Sequence, residues 1–150
     1  MLGRLEMTVE ECEEKYDDIS VKVFGHKGWF VRNPLNAYIG CTYLYNPKPL
    51  EEAVKSIVAD KLGKPDAPMM DPKNENPRCR VLVMSALTSK VDNGSTAVHL
   101  RNYKASITTP TEGTGWKIWE VARATSAAPF YFPRFVTGNG EYEYADGGLG

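Results

Sequence analysis

Helices alternating with short strands predict an α/β fold, with a central, mostly parallel sheet flanked by helices. Three stretches carry that expectation. Leu50, Ala53, Val54, Ile57, Val58 and Leu62 recur at i, i+3, i+4, i+7, i+8 and i+12, which is one face of an α-helix over 49–62. Cys79 to Leu87, CRVLVMSAL, is a nearly continuous apolar run with β-branched residues, the pattern of a strand buried on both faces. A last strand over Glu141–Tyr144 runs directly into Asp146-Gly147-Gly148. At 150 residues, 42% of them hydrophobic and 25% charged, the chain is about one globular domain.

In chain order, MLGRL reads as the tail of a helix that stops near Gly3. Thr8 and Glu11 have the capping-box spacing and open a helix running to about residue 18, with Cys12 and Tyr16 as its apolar stripe. Residues 19–45 are expected to be irregular, their aromatics serving packing. Helix 49–62 has Pro49 in its first turn, Glu51 and Glu52 at its positive end and Gly63 at the C′ position. Pro65, Pro68, Pro72 and Pro77 make 64–77 a solvated loop, in which Met69-Met70 are candidates for contact with a partner or a lipid. The strand at 79–87 is followed by the turn signal Asp92-Asn93-Gly94-Ser95 and by an alternating strand over 97–103. The pair forms either a hairpin or two neighbouring strands. After a loop over 104–115, WKIWEVARATSAA forms a helix over 116–128 that Pro129 stops. Thr137-Gly138-Asn139-Gly140 is hairpin-like and leads into the final strand.

Several function classes fall away. A net charge of −1 offers no general field for nucleic acid. No apolar run is long enough to span a bilayer. Cys12, Cys41 and Cys79 are odd in number and widely spaced, so three reduced thiols are expected. There is no P-loop, dinucleotide fingerprint, HExxH, EF-hand or clustered metal ligand, so no cofactor or metal is expected. His26 and His99 read as ordinary histidines. Ser85, Ser106 and Ser126 lack the glycine framing of a nucleophile elbow, and Ser126 reads as pocket lining. What remains is Asp146, a carboxylate followed by two glycines that let the backbone turn sharply through φ > 0. On its own such a triplet is either a plain turn or a candidate catalytic carboxylate, and a catalytic Asp needs a partner that these residues do not show.

Glu120 to Pro129 (EVARATSAAP), the aromatic run Phe130 to Phe132, and Tyr144-Ala145-Asp146-Gly147-Gly148-Leu149-Gly150 together resemble the patatin-like phospholipase family, most closely its fungal calcium-independent type. The opening MLGRLEMTVEECEEKY resembles the segment that follows that family's nucleophile elbow. The resemblance implies a lipid acyl hydrolase with a Ser–Asp dyad. A serine attacks the ester carbonyl, and Asp146 takes its proton directly, with no histidine between. Gly147 and Gly148 are the glycines of the family's DGG box. Partial burial would raise the basicity of Asp146, and backbone N–H groups would form the oxyanion hole.

The family's glycine-rich oxyanion loop and Gly-x-Ser-x-Gly box are not in these residues. Residues 1–150 are therefore expected to be a partial domain, truncated at both ends, without the nucleophile strand and inactive alone. The strand at 79–87 is expected to lack a neighbour and to make the isolated piece poorly soluble. The expected partner is a lipid ester in the cytoplasm, with peripheral membrane contact left open. A non-catalytic remnant that binds lipid or a protein is the alternative.

Overall fold

The computed structural model describes residues 1–25, 43–74, 76–88, 95–105, 115–137, 140 and 142–149. His26 and Cys41 lie outside them, as do the Asp92-Asn93-Gly94 turn signal and Ser106.

Among the described residues, four strands form one sheet: β1 (Leu82–Thr88), β2 (Ser95–Arg101), β3 (Phe135–Thr137) and β4 (Tyr142–Asp146). Their spatial order is β2-β1-β4-β3. Every pairing is antiparallel, so the expected mostly parallel arrangement is replaced within the α/β class. The few residues between Thr88 and Ser95, and between Thr137 and Tyr142, can close a hairpin. A parallel crossover needs a dozen or more. The β1 strand was expected to lack a neighbour, yet it is central, with β2 on one side and β4 on the other. Its apolar run is also not buried on both faces. Val83 and Leu87 pack on the core, whereas Leu82 and Met84 remain 45% and 42% exposed.

Helix α1 (Leu2–Leu5) runs through Gly3 and ends at Glu6, which adopts the left-handed conformation at φ 49°. Gly3 is therefore no stop signal. A Cβ there would meet the Val81 side chain and come 3.0 Å from Cys79 Sγ. Helix α2 (Val9–Phe24) has the expected capping box: Glu11 N–H donates to Thr8 Oγ1 at 3.2 Å, and Thr8 N–H to Glu11 Oε2 at 2.9 Å. It continues well past residue 18, because Cys12, Ile19 and Val23 extend one apolar stripe. Tyr16, four residues after Cys12, falls on the same stripe by spacing, yet it is 66% exposed.

Helix α3 (Lys48–Leu62) buries Ala53, Ile57 and Val58, and ends on Gly63 at φ 74°, a left-handed cap that glycine reaches without Cβ strain. With Leu5, Met7 and Ala67 it forms one of two cores. Each large aliphatic side chain buried there contributes about 1.5–3 kcal/mol.

The proline-rich stretch after α3 is not simply solvated. Met69 N–H donates to the Trp116 carbonyl at 2.7 Å, and Ile118 N–H to that of Ala67 at 3.0 Å. Ala67 and Met69 are buried, while Arg4 donates to the carbonyls of Pro68 and Met69. This extended pairing holds Trp116 and Lys117 out of the helix, so α4 spans only Ile118–Thr125. Helix α4 lies on the sheet face formed by Val83, Leu87, Val98, Leu100 and Tyr144, which with Met69, Val121 and Ala124 make the second core. Trp116 closes it with its ring edge-on to Tyr144, centroids 4.9 Å apart.

Candidate active site

The β4 strand delivers Asp146 to the edge of the helix-covered face, where the chain passes into a single 3-10 turn, Gly147–Leu149. Besides its place in the β1–β4 ladder, Asp146 is held by hydrogen bonds at its N–H and its carboxylate. Its N–H donates to the Ala127 carbonyl at 3.1 Å, which ties the end of β4 to the segment after α4. Its Oδ1 accepts the Gly148 N–H at 2.7 Å. The residue is half-buried.

The two glycines serve a different purpose from the one expected. Neither is among the glycines at positive φ. A Cβ on Gly147 would collide with the Met84 carbonyl oxygen and lie 2.6 Å from its carbon. Close approach of the β1 backbone, not left-handed geometry, requires glycine at 147.

Ser85 lies directly opposite Asp146 in the β1–β4 register. It is 1% exposed, and its hydroxyl donates to the Ala145 carbonyl at 2.8 Å and, more weakly, to that of Ala124 at 3.3 Å. With its proton directed at backbone carbonyls and its oxygen out of solvent, Ser85 is a clamp between β4 and α4, not a nucleophile. A single hydroxyl residue within the apolar run from Val81 to Leu87 was the only sequence signal for it. Ser126 caps α4 through its N–H to the Ala122 carbonyl. It is not among the residues lining the cleft beyond the helix; Ala127 beside it is. That cleft, of about 230 Å³, is also lined by Tyr43, Pro129, Phe130, Phe132, Pro133 and Arg134.

Charged residues brace this region. Arg123, 2% exposed, places Nε 3.4 Å from Glu51 Oε1 and donates to the Pro133 carbonyl. Burial lowers its pKa, and the Glu51 charge opposes that shift. Trp119 Nε1–H donates to Asp66 at 2.8 Å, which with Lys117 holds that carboxyl below its ordinary range. Next to Ala145, burial pushes the Tyr144 phenol up, with a Thr137 hydrogen bond opposing part of the shift. Among the described residues, no three His, Cys, Asp or Glu side chains gather into a metal site, and no helix is long and apolar enough to cross a membrane. Cys12 and Cys79 are free thiols, and His99 lies on β2 opposite Met84.

A helix-covered sheet that ends in an Asp-Gly-Gly turn defines a class, and comparison with known proteins gives it a family. The family model for patatin-like phospholipases matches residues 1–150, and the chain belongs to that family. It is 29% identical over 160 residues to calcium-independent phospholipase A2-gamma of Oryctolagus cuniculus. The same protein in Rattus norvegicus and Homo sapiens is 30% and 29% identical. Each match covers 99% of this chain and 18% of the relative, so the chain spans under a fifth of the length of these curated relatives. No solved structure matches it.

Proposed function

We propose that these residues form part of a lipid acyl hydrolase in which Asp146 is the general base of a Ser–Asp dyad. The observation that carries this reading is the position of Asp146 within a whole-chain family match. Asp146 lies at the end of β4, held through its N–H by Ala127 and through Oδ1 by Gly148, in a turn that Gly147 allows to close against β1. The substrate is a carboxylic ester of a lipid, the class named in the relatives' phospholipase titles. Ser85 is not the nucleophile, since its proton goes to backbone carbonyls. That role falls to a serine that residues 1–150, which hold no Gly-x-Ser-x-Gly box, do not supply.

In the reaction, Asp146 takes the proton of the attacking serine as the serine oxygen bonds to the ester carbonyl carbon. The alcohol leaves with that proton from Asp146; water then attacks the acyl-enzyme, giving a proton to Asp146, which returns it to the serine oxygen as the fatty acid leaves. A general base contributes about 10²–10⁴-fold. In the full natural protein, Asp146→Asn should lower kcat for phospholipid hydrolysis by at least about 10²-fold, with the melting temperature nearly unchanged. A serine-directed fluorophosphonate should label that variant correspondingly more slowly. Wild-type turnover in Asp146→Asn overturns the assignment.

A further inference from the structure

Just past α4 the chain presents two consecutive aromatics to solvent. Phe130 is 76% exposed and Tyr131 52% exposed, beside Leu44 at 40%. Phe130 also sits at φ 67°, a left-handed conformation that a bulky residue occupies only at a cost and only when its surroundings enforce it. The enforcement is visible. Leu44 N–H donates to the Phe130 carbonyl at 2.7 Å and Tyr45 N–H to that of Tyr131 at 2.9 Å. The N–H groups of Tyr131 and Phe132 both donate to the Ala128 carbonyl, at 3.1 and 2.9 Å. Below, the Tyr131 ring stacks on Tyr45, which packs against the buried Phe132. The turn is thus built to hold its aromatics outward.

Its chemistry and its place select a partner. Residues 43–45 and 127–134 contain no carboxylate and one cation, Arg134. The Arg134 side chain is 59% exposed on the wall of the cleft, and its 3.3 Å pair with Glu143 is a surface pair, too weak to withhold it from a phosphate. Aromatic rings, a tyrosine hydroxyl and a guanidinium suit the boundary between headgroups and acyl chains. Ala127, which lines the same cleft, accepts the Asp146 N–H. A protein seated on the turn would cover that cleft, whereas a lipid surface would feed it.

We propose that the Phe130–Tyr131 turn, with Leu44 and Arg134, is the surface by which this protein docks on a phospholipid bilayer, its aromatics entering the headgroup boundary at the cleft whose Ala127 holds Asp146. This rests on the hydrolase reading above. The test is flotation of the full natural protein with phosphatidylcholine vesicles, with and without a minority of phosphatidylglycerol. The variant is Phe130→Asn with Tyr131→Ser, since asparagine tolerates the left-handed backbone and the fold should be retained. Phe130→Gly, free at that φ, does the same work should the double variant fail to fold.

Wild type should float, more so with the anionic lipid. The variant should melt like wild type but partition about tenfold less, the scale of withdrawing an aromatic side chain from an apolar phase. A folded variant that floats like wild type overturns the proposal. So does wild type that stays in the aqueous phase, including one that self-associates through this turn instead. If flotation depends on the turn but wild type hydrolyses no ester, docking stands and the hydrolase reading falls.

Discussion

Ser85 and Asp146 face each other across the β1–β4 pairing, and the Ser85 hydroxyl is bonded to the carbonyl of the residue just before Asp146, at 2.8 Å. One buried hydroxyl thereby joins the strand that ends in the proposed base to the last turn of α4, through Ala124. Ser85→Ala leaves both carbonyls without that donor and should cost about 1–2 kcal/mol in a urea melt. If the clamp positions Asp146, kcat of the full natural protein should fall about tenfold with KM little changed, because small misplacements of a reacting group are costly. Loss of stability with unchanged kcat would reduce Ser85 to a packing role.

The Arg123–Glu51 pair behind α4 is asymmetric: the Arg123 side chain is 2% exposed and that of Glu51 25%. Among the described residues, Arg123 Nε and Nη1 meet no hydrogen-bond acceptor in good geometry, so the nearby Glu51 carboxylate is their main compensation. Glu51→Gln should therefore cost about 3 kcal/mol, the low end for an uncompensated buried charge, because Glu51 is partly solvated. Adding Arg123→Met, which removes the stranded charge, should recover part of that loss. Equal or additive losses in denaturant melts would show that the pair is not coupled.

The Glu11 carboxyl is held below its ordinary 4.5, first by its bond to Lys61, 2.6 Å away, and then by the Thr8 N–H. The folded chain thus binds this proton less readily than the unfolded chain does. The stabilisation is fully present above pH 4.5 and disappears as pH falls through the lower folded value. Glu11→Gln should flatten that part of the acid limb of an α2 helicity titration. Thr8→Ala should cost about 1 kcal/mol at neutral pH. An acid limb as steep in Glu11→Gln as in wild type would assign it to other carboxylates.

How far these features could be read in advance depends on their range. The Thr8–Glu11 box, the apolar face of α3 and its Gly63 cap are set within one or two turns of chain, and the structure has them. The antiparallel sheet follows from which strands meet, and residue types in β1 alone do not encode that. Ala67 and Met69 leave the solvent because Trp116 and Ile118 supply backbone partners across the fold, against the local proline signal. At the candidate site, Asp146 was singled out as a candidate by its strand, its glycines and a family resemblance. Ser85 and the left-handed Phe130 were not, since each depends on contacts with distant segments.

The same logic separates the two glycines of the motif. A methyl group on Gly147 would strike the Met84 carbonyl, which belongs to the central strand and cannot yield cheaply. A methyl group on Gly148 would meet only Asp146 Oδ1, at 3.2 Å, and a few tenths of an ångström of side-chain movement relieves it. Gly147→Ala should therefore cost about 2 kcal/mol by overpacking and push the end of β4 away from β1. Gly148→Ala should cost well under that, and in the full natural protein it should retain more hydrolysis than Gly147→Ala. Paired thermal melts and ester assays decide the point. Two variants with equal losses would mean that the motif requires flexibility at both positions, not the close approach of Gly147 to Met84.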